Sequence, residues 1–81
     1  MRVRALFFAA YGDALGTSTL HLDLPDGATV AELVRGIRAR GRPFDRLPEA
    51  PAVAVNCTLL RGDAELAEGD EIAFLPPVAG G

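Results

Sequence analysis

The sequence predicts an α+β fold in which a mixed sheet of about five strands packs against one main helix. Three observations carry that expectation. A single amphipathic stripe lies between two strand-like runs before it and three after it. The runs alternate with a period of two, whereas the stripe repeats at i, i+3, i+4 and i+7. With only 81 residues, the chain has room for one modest core and no second domain.

The elements follow in order. From Arg2 to Ala9 the chain alternates, with Val3, Ala5 and Phe7 on one side and Arg2, Arg4, Leu6 and Phe8 on the other. The two arginines mark the second side as outward, because charge resists burial. Tyr11–Gly16 holds two glycines and an aspartate and reads as a loop or one helical turn. Ser18–Leu24 forms a second strand, with Leu20, Leu22 and Leu24 inward. Pro25-Asp26-Gly27 is a turn, after which Thr29 and Glu32 have the spacing of a helix-capping pair. Val30, Leu33, Val34 and Ile37 then line one helical face, and Gly41 and Pro43 stop the helix. Residues 42–51 contain three prolines and read as a connection. Ala52–Cys57 and Thr58–Arg61 are short strands separated by a bend near Asn56, and Leu66–Asp70 is a tight connection. Glu71–Leu75 is the last strand, with Ile72 and Phe74 inward, ended by Pro76-Pro77. Strand, strand, helix, strand, short strand, strand is the β-grasp, or ubiquitin-like, order. The expected division is a domain over residues 1–75 and a flexible Gly-Gly tail over residues 76–81.

Composition excludes several kinds of chemistry. One cysteine, Cys57, permits no intrachain disulfide, and with one histidine, His21, it builds no Cys/His metal site. His21 reads as a solvated strand residue and Cys57 as a small hydrophobe at a strand end. Asp63, Glu65, Glu68, Asp70 and Glu71 read as a solvated acidic face that could dock a basic partner, not as a catalytic pair or metal cluster. The glycines form no phosphate cradle. A formal charge of −3 argues against nucleic acid. No apolar run is long enough for a membrane span, and Asp13 interrupts the only run near the amino terminus, so a cytoplasmic protein is expected. All eight basic residues are arginine, which leaves no lysine for Schiff-base or isopeptide chemistry.

What remains is the end of the sequence, Pro76-Pro77-Val78-Ala79-Gly80-Gly81. Two glycines without side chains can thread a narrow channel, and two prolines stiffen the base. Six extended residues reach at most about 20 Å. The carboxylate at Gly81 is ionised at neutral pH and needs activation, for which an acyl-adenylate is the obvious route. Sulfur attack would then leave a thiocarboxylate, and amine attack an amide.

Over nearly its whole length the chain resembles the small subunits of molybdopterin synthase, members of the ubiquitin-like sulfur carriers. The matching stretches are Leu6–Ala9, Val55-Asn56 with Thr58-Leu59, Leu66–Phe74 and Pro76–Gly81. The chain departs from the family pattern at Tyr11-Gly12-Asp13. The resemblance implies no bound cofactor and no active site of the chain's own. It implies ATP-dependent adenylation of Gly81 by a ubiquitin-activator-like enzyme, conversion to a thiocarboxylate by a sulfur donor, and threading through Gly80 into a large subunit. There the sulfur passes to a cyclic pyranopterin precursor, in an assembly of two small and two large subunits. Strand parity places Phe8, Leu59 and Leu75 on the face away from the helix, where they are the candidate partner-binding residues. Three other readings share the features: a carrier for thiamine, cysteine or tRNA thiolation; a ubiquitin-like protein modifier; and a bare interaction module.

Overall fold

A computed structural model describes residues 1–77. Five strands, β1 (Arg2–Phe7), β2 (Thr19–Asp23), β3 (Ala52–Val55), β4 (Thr58–Leu60) and β5 (Glu71–Leu75), form one sheet in the order β2-β1-β5-β3-β4. Only β1 and β5 pair in parallel; the other neighbours are antiparallel. Helix α2 (Val30–Arg38) covers one face. This is the expected mixed sheet across a single main helix.

The core follows from the predicted parity. Val3, Ala5 and Phe7 of β1, Val53 and Val55 of β3, and Ile72 and Phe74 of β5 are all buried. They meet Val30, Leu33, Val34 and Ile37 of α2 in one cluster. Phe7 and Phe74 are register partners, and their tilted rings lie 5.2 Å apart, an arrangement that adds to the area they bury. Each large apolar side chain removed from water contributes about 1.5–3 kcal/mol.

Helix α2 starts as the sequence indicates. Thr29 is extended, and its hydroxyl oxygen accepts from the Glu32 amide at 3.3 Å. The Glu32 carboxylate takes the Thr29 hydroxyl instead of reaching back to the Thr29 amide. Two more amides of the first turn find partners in the loop before β5: Val30 donates to Ala64 O and Ala31 to Gly62 O. Past the helix end, Gly41 adopts a left-handed φ of 81° and turns the chain away.

Four local expectations are corrected. First, β1 ends at Phe7 and not at Ala9, and of the two readings of Tyr11–Gly16 the helical one holds but starts earlier and runs longer: Ala9–Leu15 is a helix, α1, closed by Gly16 in the left-handed region with its amide on Gly12 O. Leu15 is buried, which ties this helix to the core. Second, Ala52–Cys57 is a strand only to Val55. Asn56 and Cys57 both have positive φ, 48° and 72°, and form the two-residue connection to β4. Such hairpin turns match the twist of their strands. Cys57 is therefore an exposed turn residue and not a hydrophobe on a strand. Third, the 42–51 connection contains a short 3₁₀ turn, Phe44–Arg46, and buries Leu47. Fourth, Leu66 in the supposed surface turn is also buried, its amide bonded to Ala28 O. Among the described residues, no helix is long and apolar enough to cross a membrane.

Candidate functional site

The sheet face opposite α2 is open, and strand register fixes its pattern. Leu6 lies beside Ala73, Ala73 beside Ala54, and Ala54 beside Leu59. Cross-strand partners share a face, so these four side chains make one apolar row across β1, β5, β3 and β4. With strands about 4.8 Å apart, the row spans roughly 14 Å. Ala52 and Leu75, partners one step further along, extend it toward the end of β5.

In the other direction the face becomes polar. Arg4 lies between His21 and Glu71 and forms an ion pair with Glu71. Arg2 and Asp23, also register partners, approach to 4.0 Å. Such exposed pairs contribute about 0–1 kcal/mol each, so they shape the surface more than they hold the fold. The face is thus charged where β5 begins and apolar where β5 ends and Pro76-Pro77 follows.

The predicted contact residues fall on this surface. Leu59 is 70% exposed at the outer end of the apolar row. Leu75 is half-buried at the row's other corner, beside Ala52. Phe8 stands just past β1 as the extended residue that precedes α1, and it is 47% exposed. It follows the inward Phe7, so extended backbone turns it toward the open side. Gly80 and Gly81 lie outside the described residues. Leu60 is exposed too, but its partner Val53 is buried under α2, so it belongs to the helix side at the sheet's edge.

The acidic residues are less available than their number suggests. The Asp70 carboxylate accepts from Asn56 Nδ2 and from the Ala67 amide, both at 2.8 Å. Glu68 accepts from the Arg2 amide, and Glu71 is held by Arg4. Asp63 and Glu65 have no such bond among the described residues, and the bonded carboxylates stay at the surface, with Glu71 the one paired to an arginine. Among the described residues no three His, Cys, Asp or Glu side chains group as metal ligands. One feature lay beyond sequence reasoning: a groove of about 410 Å³ beside the end of β5, walled by Tyr11, Pro48, Pro51 and Pro77. Three segments meet there, and no local pattern announces it. Burial raises the Tyr11 phenol above its ordinary value of 10.0.

A five-stranded mixed sheet across one helix, with an apolar row that runs to the chain's exit from β5, defines a ubiquitin-like β-grasp domain. The chain belongs to the ThiS family, whose pattern matches residues 5–81. It is 37% identical over 90 residues to the molybdopterin synthase sulfur carrier subunit of Aedes aegypti, covering 100% of this chain and 90% of that one. It is 28% identical over 95 residues to the small archaeal modifier protein 3 of Haloferax volcanii, covering 100% of both. A Pyrococcus furiosus protein proposed to be molybdopterin converting factor subunit 1 superposes with a TM-score of 0.81 at 29% identity, over 96% of this chain and 99% of that one. In the Helicobacter pylori complex of molybdopterin-converting factor subunits 1 and 2, a chain superposes with a TM-score of 0.71 at 27% identity, over 100% of both.

Proposed function

We propose that this chain is the sulfur-carrying small subunit of a molybdopterin synthase, with its reactive group at the Gly81 carboxyl and the catalytic site in a large partner subunit. The observation that carries this reading is the full-length likeness to molybdopterin synthase sulfur carrier subunits. The apolar row that ends where the chain leaves β5 supports it, because a partner held there lies beside whatever Pro77 leads to.

The chemistry balances without a side chain from this domain. The Gly81 carboxylate attacks the α-phosphorus of ATP on a separate adenylating enzyme and expels pyrophosphate. A hydrosulfide-equivalent donor displaces AMP and leaves the thiocarboxylate. In the large subunit the thiocarboxylate sulfur attacks a carbon of the pyranopterin precursor and displaces an oxygen leaving group from it. Water then adds to the Gly81 carbonyl carbon and breaks its bond to sulfur, which leaves the sulfur on the pterin and restores the Gly81 carboxylate. Gly80 lets the end pass a narrow channel. Phe8, Leu59 and Leu75 dock the domain, and two small and two large subunits assemble.

Reconstitution tests the proposal. Thiocarboxylated protein, its large subunit and the pyranopterin precursor are mixed, and the expected product is molybdopterin. An absence of product with a competent large subunit defeats the reading. The likeness to an archaeal modifier favours a second reading, a tag joined to lysines of other proteins. Isopeptide-linked ladders in extract, instead of free or thiocarboxylated chain, would establish that one.

A further inference from the structure

The groove beside the end of β5 is a second contact surface, around the corner from the open face. It is formed by three segments: Tyr11 on α1, Pro48, Ala50 and Pro51 before β3, and the chain as it leaves β5 through Leu75 to Pro77. Four of the chain's six prolines line it. Each has a fixed φ, so the walls stay set before anything binds, and little ordering cost falls on the complex. Among the described residues the lining contains no charged side chain, and its one side-chain polar group is the Tyr11 hydroxyl. Its volume is about 410 Å³.

Two features say what occupies it. Leu75 and Ala52 belong both to the groove and to the apolar row of the open face, so the two surfaces are continuous. One wall is the base of the C-terminal segment itself. A group seated there therefore lies alongside that segment as it leaves the domain.

We propose that this groove is a socket for an uncharged apolar side chain of the protein that receives the C-terminal segment, and that Tyr11 and Pro48–Pro51 thereby help to fix the direction in which that segment enters its partner. The inference rests on the carrier reading and adds a contact to it. An anionic or cationic partner group does not fit, because no charge in the lining compensates its desolvation.

The test fills the socket. Ala50 is exposed and lines the groove, so Ala50→Trp is designed to crowd it without entering the core, and placement of the indole is checked by its fluorescence. Arg40→Trp, which puts the same bulky side chain at an exposed position outside the groove, serves as the control. Binding of each variant to the large subunit is measured by calorimetry, with thermal unfolding in parallel. The expected result is a Kd raised at least tenfold by Ala50→Trp and changed less than twofold by Arg40→Trp, with both variants folded. Tyr11→Ala, which removes a wall, should likewise weaken binding, and Tyr11→Phe should restore it. If the unmodified protein binds and Ala50→Trp binds within twofold of it, the socket is refuted while the carrier reading stands. If the unmodified protein neither binds the large subunit nor yields product with it, both fall together.

Discussion

Asn56 joins two parts of the chain that no local pattern connects. Its side chain donates to Asp70 at 2.8 Å and accepts from the Glu71 amide at 3.0 Å, while its own amide donates to Glu71 O. It holds a left-handed φ of 48° as it does so, a conformation asparagine tolerates better than most residues. Asn56→Gly keeps the backbone geometry but loses both side-chain bonds, and we expect it to cost about 1–3 kcal/mol in urea unfolding. Gly12 offers a different residue-scale test. A Cβ there would sit 2.9 Å from the Phe7 carbonyl oxygen, so Gly12→Ala must displace α1 from β1. Loss of about 1–3 kcal/mol is expected, although alanine is intrinsically the better helix former. Tyr11 is the only tyrosine, so phenolate absorbance reports it alone. Its titration midpoint should lie above 10.0 in the folded protein. The unfolded chain then loses this proton first as pH rises, so stability is intact below pH 10.0 and falls above it, and Tyr11→Phe removes that component. At this scale the sequence misleads where tertiary contacts decide. Cys57 continues an apolar run yet is a turn residue, because Asn56 turns the chain one position earlier.

Among the elements, α2 could be read completely and α1 could not. Helix α2 has a capping threonine, a regular apolar stripe and a glycine after its end, all local signals that agree. Thr29→Ala should cost about 0.5–2 kcal/mol, read as a lowered unfolding midpoint. Ile37→Ala, which empties a fully buried site, should cost about 2–5 kcal/mol. Helix α1 has only seven residues, a glycine inside and no side-chain cap. Isolated helices so short are marginal, and this one forms because Leu15 and Tyr11 pack on the core. Strand parity in β1, β2 and β5 was also evident from alternation alone. Leu47 and Leu66 were not, since single apolar residues inside connections have no period to reveal them.

On the scale of the whole molecule, the open face came through the parity argument, because register carries one strand's alternation to the next. Leu59 and Phe8 could be placed this way. The groove at Tyr11 could not, since its walls come from segments about forty and sixty residues apart in sequence. Leu59→Asp should raise the Kd for the large subunit at least tenfold in calorimetry, with unfolding unchanged, because the side chain is already in water. The sheet order has one more consequence. Strand β5 is the last strand among the described residues yet lies between β1 and β3, and it brings Ile72 and Phe74 to the core. During synthesis, β1 and β3 have no common neighbour until Leu75 has emerged. A chain interrupted before that point lacks the middle of its sheet, so proteases meet it as an open polypeptide. Products that stop before β5 are thereby distinguished by folding itself from those that contain it.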